Sequence, residues 1–172
     1  MLTTPTGAER LRGNAIGVKN WESRKLYTSG GRSVRIIGTP ATHGPAHADR
    51  GPVTGFIVEF NECASVIYVS GDTVWYDGVG EVARRFRVGV AALFMGAARV
   101  PEVGPDYLTM TAGDAIKASR AFSNATIVPL HYEGWAHFTE SREQISRAFV
   151  GEGIESRVHW MNPGVKTPLT LQ

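Results

Sequence analysis

Residues 66–76 are Val66-Ile67-Tyr68-Val69-Ser70-Gly71-Asp72-Thr73-Val74-Trp75-Tyr76, and the stretch changes from apolar to polar at Ser70. The β-branched apolar run before that point predicts a buried strand. Asp72 follows the end of this strand, and ligand chemistry in layered α/β folds tends to lie just beyond such ends. We therefore take Asp72 as the first candidate for a functional side chain.

The composition is that of one globular domain, which we expect to span residues 1–172. Hydrophobic residues make up 42% of the chain and charged residues 20%, and the formal net charge is only +2. The basic residues are scattered, whereas a surface for nucleic acid or an acidic membrane usually needs a clustered basic face. This pattern argues against a nucleic-acid or membrane partner.

Cysteine usage and the first residues indicate a cellular location. Cys63 is the only cysteine, so no internal disulfide can form, as is usual in a reducing compartment. The chain start shows no charged segment followed by an apolar one, which is the pattern of a secretory signal. The longest apolar run, 88–95, is interrupted by Gly89 and is too short to cross a bilayer. We expect a cytoplasmic protein.

Hydrophobic periodicity predicts strands first and then an alternation of helices and strands. The first 14 residues show no clear period. Strands 54–60 and 65–69 are joined by a short polar turn and should be antiparallel neighbours. This order favours an α/β fold, or α+β in layers. The predicted strands are 14–21, 24–27, 33–39, 54–60, 65–69, 88–95, 125–130 and 156–161, and the predicted helices cover 79–86 and begin near 111 and 139–141.

Three predicted strands are followed by residues that can bind a metal ion, namely His43, Asp72 and His131. Imidazole and carboxylate groups suit zinc, iron or manganese, and one Asp can bridge two ions. A pair of ions roughly 3.5–4 Å apart could hold a hydroxide for hydrolysis. Taken singly, each residue is more often a hydrogen-bonded loop or capping residue. The convergence of three strand ends favours the metal site.

Further candidates flank these three positions in the sequence. His47 and His137 could contact substrate or transfer a proton, and His137 is the candidate catalytic histidine. The alternatives are an exposed loop histidine at His47 and a packed ring at His137. Four aromatic side chains could line a substrate pocket or belong to the core. They are Trp75, Tyr76, Tyr132 and Trp135.

Four segments carry a family pattern: 39–45 (TPATHGP), 51–56 (GPVTGF), 68–73 (YVSGDT) and 128–135 (VPLHYEGW). They resemble the metallo-β-lactamase-fold hydrolases, and the best match is the branch with the ascorbate-6-phosphate lactonase-like proteins. By that resemblance His43 is a ligand of the first of two Zn²⁺ ions, Asp72 bridges both, and His131 binds the second. Mn²⁺ or Fe could replace zinc. The implied reaction is attack of a metal-bound hydroxide on an ester, lactone, amide or phosphodiester.

One part of the family pattern is missing. The signature His-x-His-x-Asp-His does not occur, because the histidines are His43, His47, His131, His137 and His159. The resemblance therefore implies the second half of a four-layer αββα sandwich, without the first sheet and four metal ligands. Two interpretations compete. One is a metal-dependent hydrolase, and the other is a truncated, catalytically incompetent chain that acts only in association with another chain. The exposed sheet would favour self-association.

Overall fold

The computed structural model describes residues 1–27 and 29–171. Thr28 and Gln172, which the expected single domain includes, lie outside the described residues. None of the described helices is long and apolar enough to cross a membrane. The strands are β1 (Leu2–Thr3), β2 (Ile16–Gly17), β3 (Ser23–Tyr27), β4 (Ser33–Thr39), β5 (Gly55–Phe60), β6 (Val66–Val69), β7 (Val88–Phe94) and β8 (Thr126–Leu130). The helices are α1 (Pro5–Leu11), α2 (Asp77–Arg85), α3 (Ala112–Ala121) and α4 (Arg142–Gly151), with a 3-10 helix at Glu155–Arg157.

The main sheet has six strands that follow chain order from β3 to β8. Strands β3 to β6 pair antiparallel, which confirms the predicted pairing of β5 with β6, whereas β6, β7 and β8 are parallel. Parallel neighbours need a crossover connection, and α2 and α3 lie in the two crossovers. Because β4, β6, β7 and β8 run in the same direction, their carboxyl ends meet at one edge. We call this edge the carboxyl edge.

One face of the sheet packs against α2, α3 and α4 and forms the core. Side chains from the strands, such as Tyr68 and Leu93, are fully buried there together with helix residues such as Val79 and Phe149. Burial of this apolar area supplies the main driving force for folding. A six-stranded sheet with helices packed on one face confirms the mixed α/β fold expected from the sequence.

The opposite face of the sheet is also apolar and is half-buried over much of its area. The register places Ile36 opposite Val58 and Phe56 opposite Val69, so these side chains share that face. Apolar residues on both faces are typical of the inner sheet of a layered fold. Its half-buried apolar members are Val34, Ile36, Phe56, Val58, Phe60, Ile67, Val69, Phe94 and Leu130.

The two ends of the chain differ from expectation. The first 14 residues, in which no period is visible, contain β1 and α1. Thr4 caps this helix by accepting a hydrogen bond from the Gly7 amide at 3.0 Å, and a proline occupies the first turn. The strand predicted at 14–21 is reduced to Ile16–Gly17, because the chain turns at residues 13–14 and again at 20–21, where Trp21 has φ 66°. The prediction of a strand at 156–161 was wrong. The 3-10 helix covers Glu155–Arg157, and the only pairing in this stretch of the described chain is one bridge between Ile127 and Val158.

Candidate functional site

Three loops at the carboxyl edge carry the three predicted ligands. His43 follows β4, Asp72 follows β6 and His131 follows β8. These strands end at the same edge because β5 runs opposite to both β4 and β6, and β6 to β8 are parallel. The topology thus brings to one edge residues that are up to 88 positions apart in the sequence (43 to 131).

Hydrogen bonds hold the first two loops against each other. The Thr42 amide donates to Thr73 Oγ1 at 3.0 Å, and the Val74 amide donates to the Thr42 carbonyl at 3.1 Å. On the other side, the Phe94 amide donates to Ser70 Oγ at 2.9 Å. These bonds fix the backbone on both sides of Asp72 and just before His43.

Two glycines permit the close approach of these strand ends. A Cβ on Gly55 would lie 2.7 Å from the carbonyl oxygen of Ser70, and a Cβ on Gly71 would lie 2.6 Å from the carbonyl oxygen of Thr54. Gly71 also has φ 63°, in the left-handed region that favours glycine. Side chains at either position would push the Asp72 loop away from β5.

His131 occupies an unusual backbone conformation. Its φ is 55°, which is uncommon for a residue with a side chain and is frequent at functional sites. Its ring lies 5.3 Å from the Phe94 ring and 4.9 Å from the Phe138 ring, measured between centroids. The two aromatic rings hold the imidazole at the carboxyl edge, next to Asp72.

Asp72 and His131 form the central pair of the site. Asp72 Oδ1 and His131 Nδ1 are 3.3 Å apart, and the two side chains are about one-third exposed. Both atoms are buried, and neither forms a hydrogen bond with the other or with any further group that the structure describes. Buried polar atoms normally have a partner. A carboxylate oxygen and an imidazole nitrogen that lack one fit a metal ion.

His43 faces the same region without completing the set. Burial lowers the pKa of His43 below its ordinary value, and the charge of Asp72 opposes that shift. Within residues 1–27 and 29–171, however, no group of three or more His, Cys, Asp or Glu side chains is arranged to hold a metal ion. The described residues therefore present two ligand atoms that fit a metal ion, one fewer than the three protein ligands of a catalytic zinc site.

The two flanking histidines lie in different surroundings. His47 is 73% exposed, and its Nε2 is 3.2 Å from Asp106 Oδ2. His137 is partly buried, with its ring 5.7 Å from Trp135 and 5.0 Å from Phe138. Since Phe138 also contacts the His131 ring, contacts between rings connect His137 to the central pair. No such connection reaches His47 in the part of the chain that the structure describes.

The four candidate pocket aromatics are dispersed. Tyr132 is buried in the core against Trp160. Trp75 and Tyr76 are partly buried and pack against the core, and burial raises the pKa of Tyr76 to about 12. Trp135 is 64% exposed. Of these four, Trp135 alone presents a largely exposed ring beside the site.

A cleft of about 440 Å³ opens beside Asp72, between the amino-terminal segment and the sheet. None of the four aromatics above lines it among the described residues; its aromatic members are Phe56 and Phe94. Arg10, in α1, lines it as well and was not among the sequence-based candidates. The cap and proline of α1 were the signal that could have revealed the helix carrying Arg10. A larger cavity, of about 910 Å³, lies elsewhere, beside Cys63, and contains none of the predicted site residues.

Comparisons with known proteins agree with the fold and point to one group of sequences. No protein-family model matches the chain. Over 151 residues it is 27% identical to a UPF0173 metal-dependent hydrolase of Caldivirga maquilingensis, covering 88% of this chain and 59% of that protein. The chain therefore spans about three-fifths of the length of this curated relative.

Solved structures give the same picture. The isothiocyanate hydrolase from Delia radicum gut bacteria superposes with a TM-score of 0.80 at 23% identity, over 98% of this chain and 66% of that one. The metallo-β-lactamase fold protein YhfI from Bacillus subtilis superposes with a TM-score of 0.60 at 9% identity, over 94% and 60%. The chain is thus similar in sequence to UPF0173 metal-dependent hydrolases and shares the mixed α/β fold of metallo-β-lactamase-fold proteins.

Proposed function

We propose that the protein is a metal-dependent hydrolase whose ion is held by Asp72 and His131. The observation that carries this proposal is the pair of buried atoms, Asp72 Oδ1 and His131 Nδ1, which are 3.3 Å apart and form no hydrogen bond within residues 1–27 and 29–171. A metal ion would give each of them the partner that buried polar atoms normally have. The description of the curated relative as a metal-dependent hydrolase supports the same conclusion.

The chemistry follows from these residues. A bound divalent ion would lower the pKa of water and polarise the oxygen of a carbonyl or phosphoryl group. Asp72 supplies an anionic ligand on a loop that backbone hydrogen bonds hold in place, and His131 supplies a nitrogen held by two aromatic rings. We propose His43 as a further ligand from the same edge. Zn²⁺ is the proposed ion, with Mn²⁺ or Fe as alternatives that the same ligand types accept.

We propose a role in proton transfer for His137 and a small molecule as the substrate. The ring of His137 is partly exposed and linked through Phe138 to His131, so we assign it proton transfer at the rim of the site. The proposed substrate is a small molecule with an ester, lactone, amide or phosphodiester bond. The near-neutral charge of +2 supports a small molecule over nucleic acid. We also propose a cytoplasmic location, because the only cysteine, Cys63, is a free thiol.

Metal content and hydrolysis of the same preparation test this function. The chain should bind zinc. Asp72→Asn should weaken the zinc affinity by at least about tenfold, because a neutral amide replaces the anionic carboxylate ligand. Asp77→Asn is the matched control, since Asp77 is an exposed carboxylate at the start of α2. Hydrolysis would be measured on 4-nitrophenyl acetate, a γ-lactone, a 4-nitroanilide and bis(4-nitrophenyl) phosphate. Unchanged metal content and turnover in Asp72→Asn would disprove the assignment.

A second candidate function is favoured by the incomplete ligand set. The described residues present two ligand atoms that fit a metal ion, and the second sheet face is apolar and half-buried. A chain of this kind would be inactive alone and would act only when paired with another chain, such as a second copy. Sedimentation velocity combined with metal analysis separates the two candidates. A monomer with two tightly bound ions and sustained turnover would exclude the second.

A further inference from the structure

The cleft beside Asp72 has two chemically different walls. The sheet side is apolar and includes Val53, Phe56 and Phe94, whereas the amino-terminal side includes Arg10 and three threonines. The full lining consists of Leu2, Thr3, Thr4, Thr6, Gly7, Arg10, Pro52, Val53, Thr54, Phe56, Asp72 and Phe94. Its volume of about 440 Å³ falls in the range of small-molecule sites.

The polar wall holds donors that are not used elsewhere in the described residues. Arg10 has no carboxylate partner there, whereas Arg84 and Arg85 of α2 both form ion pairs. The hydroxyls of Thr3 and Thr6 make no hydrogen bond to another described residue, in contrast to Thr4, which caps α1. An unpaired guanidinium beside two available hydroxyls matches a group that carries negative charge and several acceptor oxygens.

The apolar wall offers a contact surface for an apolar part of the ligand. Phe56 and Phe94 are half-buried, so each ring leaves part of its surface for contact. Phe94 also contacts the His131 ring at 5.3 Å between centroids. A group lying on Phe94 is therefore adjacent to the Asp72–His131 pair.

We propose that this cleft binds a small organic anion, with its carboxylate or phosphate on Arg10 and its apolar part on Phe56 and Phe94. The carboxylate of Asp72 lines the same cleft and repels a second negative charge. The anionic end thus lies at Arg10, and the other end of the molecule faces the Asp72–His131 pair. The identification of this anion as the substrate rests on the proposed function. Its binding is a property of the cleft alone.

A titration with three probes tests the cleft. Benzoate, phenyl phosphate and the neutral benzyl alcohol are added to the 172-residue chain, and binding is followed by NMR shifts. A chelator is present, so anion binding to a metal ion cannot contribute. At least one anion should bind about tenfold more tightly than benzyl alcohol, as expected of a charge-assisted hydrogen bond. The tighter of the two anions identifies the head group as carboxylate or phosphate.

Variants locate the effect. Arg10→Gln should remove the preference for the anion, Arg10→Lys should keep most of it, and Arg12→Gln should leave it unchanged because Arg12 does not line the cleft. Equal affinity for anion and alcohol, absence of binding by all probes, or an unaltered preference in Arg10→Gln would each overturn the proposal. Failure of zinc binding in the earlier experiment would refute the hydrolase and leave this titration intact.

Discussion

Replacing Gly71 with alanine tests whether the Asp72 loop depends on a glycine. Two costs add at this position. The φ of 63° lies in the left-handed region, and the new Cβ would be 2.6 Å from a backbone carbonyl oxygen of Thr54. The oxygen belongs to the main chain immediately before β5, so it moves only if the start of the strand moves with it.

The magnitude follows from treating the two costs separately. A left-handed backbone costs an alanine about 1 kcal/mol relative to glycine. Overpacking against a fixed neighbour adds about 1–3 kcal/mol. Gly71→Ala should therefore lower the free energy of unfolding by about 3 kcal/mol.

Two other glycines serve as controls. Gly153 has φ 65°, and apart from its chain neighbours no described residue has an atom within 4 Å of an added Cβ, so Gly153→Ala measures the backbone cost alone, about 1 kcal/mol. An added Cβ on Gly55 would meet backbone oxygens of Val69 and Ser70 at 2.8 and 2.7 Å, so Gly55→Ala measures mainly the clash. Urea unfolding followed by circular dichroism gives all three values. If Gly71→Ala cost no more than Gly153→Ala, the tight contact between the loop and β5 would be refuted.

Three further predictions concern the helices and their ends. Arg157→Met should lower the free energy of unfolding by about 2–4 kcal/mol, because the Arg157 guanidinium donates to three carbonyl oxygens at and just beyond the end of α3. Urea unfolding measures this loss, and a value below about 1 kcal/mol would contradict the prediction. Thr111→Ala should cost about 1 kcal/mol by the same measurement, because it removes the capping box of α3, and no loss would argue against the cap. Burial raises the pKa of Glu140, so its contribution to stability is full below pH 4.5 and is lost as pH rises through the folded-state pKa. Unfolding at a series of pH values should show this decline in the wild type and not in Glu140→Gln, and equal profiles would contradict it.

The elements that sequence alone predicts well are those with a long or regular pattern. The apolar runs of β4 to β8 and the capping box at Thr111 are local signals, and the structure has each of them close to the predicted position. The placement of Asp72 and His131 just after strands is likewise local. Their contact is not, because it depends on two crossovers and on the left-handed backbone of His131.

The missed features are short or irregular. Helix α1 has seven residues with Pro5 and Gly7 among them, too few for a helical period to stand out. Tyr132 and Trp135 lie three residues apart in one loop, yet one is 6% exposed and the other 64%. Periodicity does not apply to such a loop, so composition could not separate the core residue from the surface one. For the same reason, the sequence alone does not show that Phe56 and Phe94 line the cleft beside Asp72.

The parallel pairing of β6, β7 and β8 has a consequence for the order in which the molecule assembles. Asp72 and His131 become neighbours only after the crossovers through α2 and α3 have closed, since each strand must pair with one reached through a helix. Contacts between distant parts of a chain form slowly, because the entropy of loop closure is lost before the contacts contribute favourable energy. We expect the pair to form late in folding and to be absent from the unfolded chain. Any ligand of the pair therefore binds only the native state, so the apparent free energy of unfolding rises with the ligand concentration.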